Sequence, residues 1–276
     1  MNPEECLSRV PLVKSECARL SKVWRGFSEA QWKTPTFCPG WLAEDPVVHV
    51  ATGAVFYASS IRRALDGLPP EPPYGKGTKE FYAIRIRKGE ELKALPREKM
   101  LDAFDAASAK VQAELDRIRP GDFPKAAFHP RGLIPLGAWA GMRLVEVVIH
   151  DWDIRYGQDP AAKVAPQGVE GMLTFLPSYQ TRFFGWREKP PFSGRFRFRS
   201  TGPGREWSLT VSGEAAADSE DVSGDFDAVI TADAEAHLLL IYGRAKQDRM
   251  EKAGRLTVEG NGDLAGKLLS VLYAKY

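Results

Sequence analysis

The chain has 276 residues, 43 % of them hydrophobic and 27 % charged, ordinary proportions for a globular protein that exclude a disordered or fibrous chain. At about 100 to 200 residues per domain, this length predicts two domains, with one long domain as the alternative. Lysine and arginine number 38 against 36 acidic residues, a formal net charge of +2, so no broad field draws in nucleic acid or an anionic membrane.

No apolar run approaches the roughly 20 residues of a membrane span. The first residues carry Glu4 and Glu5 where a secretory leader would be basic and then apolar. Cysteines occur only at 6, 17 and 38, an odd count without a Cys-x-x-Cys pair, which predicts neither a disulfide framework nor a zinc ribbon. A reducing cytoplasm is the expected compartment.

In chain order, Leu20, Val23, Trp24 and Phe27 form one apolar stripe and predict a helix over 3–26. Ser28 with Gln31 three residues later reads as a capping box. A loop over 34–41 precedes a second helix from Asp45 to about 65, with Pro46 in its first turn. The proline-rich stretch 67–73 ends it and opens a surface loop. A third helix over 98–119 repeats Leu101, Phe104, Val111, Leu115 and Ile118. A fourth covers 135–156 with Gly157 as its C-terminal cap. Four long helices with apolar stripes predict a bundle, and a further helix over 168–184 serves as a connector.

The charged, proline-bearing stretch 186–191 marks the expected boundary between domains at 1–188 and 189–276. Beyond it, 195–199 and 207–211 alternate polar with apolar side chains and predict a hairpin turning at 201–204. A strand at 228–231, a helix at 234–242, a strand at 256–259 and a helix at 264–273 complete a small α+β unit whose helices cover one face of a sheet.

The chemically informative stretch is 143–153. Steps of three, four and three place Arg143, Glu146, His150 and Asp153 on one stripe of the fourth helix, among apolar Leu144, Val145, Val147, Val148 and Ile149. Ionisable groups facing a core need partners. A cation is one such partner, since Glu146 and His150 can offer it an oxygen and a nitrogen, and His49 on the second helix adds a third donor. In the first helical turn the positive helix end would keep that ring neutral, as a metal requires. Two histidines and one glutamate leave positions open for water or substrate, as catalytic zinc does, with Asp153 and Arg143 as orienting groups. The alternative is a buried histidine bonded to a carbonyl.

The segment Pro35-Thr36-Phe37-Cys38-Pro39-Gly40-Trp41, with Asp45 and His49 soon after and Arg143, Glu146, His150 and Asp153 at their spacing, resembles the mycothiol-dependent maleylpyruvate isomerase family. That family belongs to the DinB-like metal-binding four-helix bundles. Its C-terminal domain is related to sterol-carrier proteins, which 241–244 and 254–260 resemble. The resemblance implies a divalent metal, usually zinc, on His49, Glu146 and His150. It also implies a low-molecular-weight thiol, mycothiol or an analogue, that isomerises or is transferred to a small electrophile. It brings Arg244 of the second domain to the metal, and Arg244, Arg143 and Asp153 are the expected catalytic residues. The expected partners are the small-molecule substrate and the thiol, with no nucleic acid and no membrane, in a monomer or homodimer. Pro46 and the stiff 69–73 loop depart from the family pattern and bear on the pocket's shape.

Other residues read more plainly. Arg85 and Arg87, in Arg85-Ile86-Arg87-Lys88, form a solvated basic surface. His129 is a surface histidine, His237 packs inside the second domain, and Cys38 is a buried structural cysteine. Two further functions fit: a lipid-binding module with Trp207, Phe196 and Phe198 lining a tunnel, and a metal-assisted hydrolase with Asp153 as base.

Overall fold

The computed structural model describes residues 2–273; the ends of the expected domains, residue 1 and residues 274–276, lie outside the described residues. Two compact units form, Met1–Gly171 and Met172–Tyr276. The division falls inside a helix, Pro166–Gly185, upstream of the proline-bearing stretch where composition changes.

In the first unit, helix α1 (Pro3–Arg25) starts where the Asn2 side chain accepts a hydrogen bond from the Glu4 N–H, with Pro3 in the first turn. Helix α2 (Glu29–Trp32) is one turn held by the Ser28–Gln31 capping box. Helices α3 (Glu44–Leu65), α4 (Gly77–Lys93) and α5 (Arg97–Leu115) follow. A hairpin of β1 (Ala126–His129) and β2 (Gly132–Pro135) leads into α6 (Trp139–Gln158), and α7 (Pro166–Gly185) spans the division. Helix α1 packs on α5 and α6, and α3 packs on the same two, which closes a four-helix bundle. Trp24 and Phe104 meet edge to face in its core, 5.0 Å apart.

Four features of this unit differ from the sequence reading. Helix α4 buries only Phe81 and Gly89, so it carries no apolar stripe to announce it. The β1–β2 hairpin occupies a stretch expected to be loop, and the helix expected from 135 begins at Trp139 after a 3-10 turn at Leu136–Ala138. Gly157 is not a cap: α6 runs on to Gln158 and is capped by Asp159. A Cβ at Gly157 would run into the Pro35 carbonyl, so this glycine admits the 34–41 loop against α6.

The second unit holds β3 (Phe192–Thr201), β4 (Arg205–Gly213), β5 (Ala215–Ser219), β6 (Ala228–Asp233) and β7 (Leu256–Gly260), with α8 (Ala234–Ile241), α9 (Gln247–Lys252) and α10 (Gly262–Leu272). The strands lie in the order β5-β4-β3-β6-β7. The expected hairpin is β3–β4, with Phe198 opposite Trp207, and β3–β6 is the parallel pair. Phe196, Phe198 and Trp207 are wholly buried, and the last two stack 5.4 Å apart, so they are core rather than tunnel lining. His237 is buried with them. Among the described residues no helix is long and apolar enough to cross a membrane.

Candidate metal centre

The apolar face of α6 docks Leu144, Val147 and Val148 into the bundle. This aims the neighbouring stripe of Glu146 and His150 at α3, where His49 projects. His49 Nε2 lies 3.3 Å and His150 Nε2 3.7 Å from Glu146 Oε2. All three ligand atoms fall within 4.8 Å of one another. The two imidazole rings are 4.8 Å apart, and the Trp41 ring lies 5.3 Å from His49 and stacks on His150 at 5.9 Å.

Asp153, one turn beyond His150, is fully buried. Its Oδ2 lies 2.9 Å from His150 Nδ1. A carboxylate there accepts a hydrogen bond from Nδ1–H, and in that tautomer Nε2 is the acceptor nitrogen turned towards Glu146. Oδ2 also accepts from the Cys38 thiol at 3.3 Å. Cys38 is half-buried rather than buried, because the Phe37 N–H donates to the Asp153 carbonyl at 3.0 Å and lays this loop along α6. The ligand atoms of Cys38, His150 and Asp153 form a second group within 4.8 Å, sharing His150 with the first.

His49 is the sixth residue of α3, one residue deeper than a start at Asp45 would make it and already in the second turn. Its ring is held neutral, with the pKa lowered to about 4, chiefly by burial and then by His150 and Arg85, against the pull of Glu146. Burial, more than the helix end, keeps the lone pair available. For Glu146, burial opposes ionisation. The adjacent His49, with His150 and Arg85 nearby, outweighs it and holds the carboxyl below the usual carboxylate range. Its Oε2 is buried and makes no hydrogen bond, with His49 Nε2 3.3 Å away. An orphaned carboxylate oxygen facing two imidazole nitrogens fits a divalent cation, and two nitrogens with one oxygen suit zinc and its first-row neighbours.

The other expected residues separate. Arg143 is fully buried and turns towards α3, where Nη1 donates to the Val50 carbonyl at 3.0 Å. Arg244 lies in the second unit, where its Nη1 donates to the Tyr242 carbonyl at 2.7 Å. Arg85 is not a solvated charge: from α4 its Nη2 donates to the His49 carbonyl at 3.1 Å and stands 3.4 Å from His49 Nε2. Arg87 is exposed, 3.6 Å from Glu91, as expected. His129 is half-buried rather than fully exposed. Its ring lies 5.9 Å from Phe56 and 6.3 Å from Trp139, and burial lowers its pKa to about 4. Arg85 and Trp41 are the residues beside the centre that motif spacing passed over. Glu80, Arg85 and Lys88 on a helix without a stripe give no signal of which side chain turns inward.

The family model described as mycothiol maleylpyruvate isomerase N-terminal domain matches residues 13–155. The chain belongs to that family. The SCP-2 sterol transfer family model matches residues 190–272 of this family member. In structure the chain is similar to a mycothiol-dependent maleylpyruvate isomerase, with a TM-score of 0.60 and 15 % identity over 94 % of this chain and 93 % of that one. A histidine-to-alanine mutant of a mycothiol-dependent maleylpyruvate isomerase gives 0.59 at the same identity and coverage. The likeness to sterol carrier protein 2 like 2 of Aedes aegypti has a TM-score of 0.32, with 17 % identity over 36 % of this chain and 94 % of that one. No curated protein matches in sequence. At 15 % identity the likeness to the two isomerase structures establishes the fold alone.

Proposed function

We propose that this protein is a metal-dependent enzyme that activates a low-molecular-weight thiol of the mycothiol type, and uses it on a small, acidic, electrophilic substrate. The reading covers isomerisation of a cis double bond and transfer of the thiol to the electrophile. One observation carries it: two imidazole nitrogens and a buried carboxylate oxygen that makes no hydrogen bond converge within 4.8 Å. A divalent ion held by His49, Glu146 and His150, zinc being the expected one, would lower the pKa of a thiol beside it and so supply a nucleophile at neutral pH. The isomerisation is then addition of thiolate to a conjugated cis double bond, rotation about the resulting single bond, and elimination that returns the thiolate.

The chain's own residues do the rest. Asp153 holds the proton at His150 Nδ1, and Trp41 stacks on His150 and lies against His49, fixing the two rings. Membership of the family, whose name carries the thiol and the isomerisation, supports the reading. The role of Arg244 is part of the same proposal. Metal-assisted hydrolysis with Asp153 as base is disfavoured, because that carboxylate is enclosed and already engaged by His150 and Cys38.

Cobalt-substituted protein titrated with mycothiol, bacillithiol and glutathione tests the proposal. A thiol that joins the ion changes the visible spectrum, and the same thiol supports turnover that Arg244→Ala lowers without loss of metal. A spectrum indifferent to all three thiols refutes it.

A further inference from the structure

We propose that Cys38 is a positioning residue for the metal centre: acting through Asp153, its thiol moderates how strongly the His150 ring donates to an ion on His49, Glu146 and His150. In placing the ion there, this inference rests on the function proposed above.

One carboxylate oxygen serves two donors. Asp153 Oδ2 lies 2.9 Å from His150 Nδ1 and accepts from the Cys38 thiol at 3.3 Å. A carboxylate that holds the Nδ1 proton pushes charge into the ring and makes Nε2 a stronger ligand. A second donor on the same oxygen draws part of that charge away. Asp153 is fully buried, and in such surroundings each hydrogen bond acts more strongly on the others than it does in water. The thiol is a weak donor, so the His150 bond keeps the greater share of Oδ2 and the sulfur makes a small adjustment. An ion whose ligands donate less is the stronger Lewis acid. The thiol thus keeps the centre more acidic and the ion less tightly bound.

The loop supplies the independent observation, because it keeps its place without the sulfur. The Phe37 N–H donates to the Asp153 carbonyl at 3.0 Å, the Thr36 N–H to the Trp41 carbonyl at 2.8 Å, and the Trp41 N–H to the Cys38 carbonyl at 3.0 Å. The Cys38 N–H donates to Thr36 Oγ1 at 3.2 Å. The Phe37 ring lies 5.3 Å from that of Trp152 and 5.1 Å from that of Tyr156, and Gly157 admits the Pro35 carbonyl to α6. None of these contacts uses the Cys38 sulfur. The loop therefore carries the thiol to Asp153, and deleting the thiol removes a donor without releasing the segment. A cysteine that merely braced Asp153 would weaken metal binding when removed. A donor that draws charge from Asp153 would, when removed, strengthen it, so the sign separates the two.

Zinc affinity of the full chain, measured by chelator competition with no thiol added, tests the inference. Cys38→Ala should bind zinc about three- to tenfold more tightly than the wild type, and Cys38→Ser, which restores a donor, should return most of that change. In an Asp153→Asn background Cys38→Ala should change affinity by less than about twofold, because the group it acts through is gone. In metal-free protein the His150 Nδ1 proton should resonate further downfield in Cys38→Ala and move back in Cys38→Ser. Weaker or unchanged zinc binding in Cys38→Ala overturns the proposal. So does a thiolate-to-cobalt band in the cobalt protein that vanishes with Cys38, since the sulfur would then be a ligand itself. If Cys38→Ala loses its near-ultraviolet circular dichroism, Cys38→Val, which fills the space without a donor, decides. A wild type that binds no zinc would sink the functional reading, and the proton shift would then decide this inference by itself; zinc binding that Cys38→Ala leaves unmoved would sink this inference alone.

Discussion

His49, half-buried in the bundle, and His237, fully buried in the second unit, are both held neutral, each with a pKa lowered to about 4 chiefly by burial. What faces them differs. His237 Nε2 donates to the Arg199 carbonyl at 3.0 Å, and its ring lies 5.4 Å from Trp207 and 6.1 Å from Phe198. His49 instead faces a carboxylate oxygen without a hydrogen bond and a second imidazole. A depressed histidine pKa therefore marks burial, whereas convergence of unsatisfied donor atoms marks the candidate site.

The sharpest way to break this comparison is to remove each ring. His49→Ala should reduce stoichiometric metal and thiol-dependent turnover by more than about a hundredfold, beyond what loss of an outer-sphere partner costs. His237→Ala should leave metal content unchanged and lower stability by about 1–3 kcal/mol through the lost hydrogen bond and the vacated core space. Elemental analysis and denaturant unfolding read the two effects, and a His237→Ala protein that loses its metal would erase the distinction.

Phe198→Ala, in the packed interior beside His237, should cost about 3–5 kcal/mol, read in the same unfolding curves, again with metal retained. Asp153→Asn should weaken metal binding by about 10- to 100-fold, because the amide no longer holds the Nδ1 proton of His150 as a carboxylate does; chelator competition measures it.

Acid should act through His237 as follows. Its folded pKa of about 4 lies below the ordinary 6.5, so between those values the unfolded chain binds the extra proton and stability falls as pH falls. The slope is at most about 1.4 kcal/mol per pH unit. His237→Gln should remove that share from the pH dependence of unfolding. The smallest effect belongs to Arg87, exposed on α4: Arg87→Ala should change stability by no more than about 0.5 kcal/mol and leave metal content as it is, in contrast to Arg85.

Much of the bundle was legible because α1, α3, α5 and α6 each bury a stripe that repeats at helical spacing, and the β3–β4 hairpin because its strands alternate. Helix α4 was not, since burying Phe81 and Gly89 alone leaves no periodic mark. The β1–β2 hairpin lacks a strand signature, because four-residue strands are too short for alternation to show. Arg85 and His129 were misjudged because their partial burial comes from neighbours distant in sequence.

By itself the sequence determined the local periodicities: which segments coil, which extend, and that Glu146, His150 and Asp153 share one helical face, because side-chain direction follows directly from backbone repeat. Only the tertiary structure decided that His49, ninety-seven positions before Glu146, meets that face, that Asp153 turns to His150, and that Arg143 turns instead to α3. Those choices depend on how helices pack against one another, and packing is set by side chains far apart in the chain.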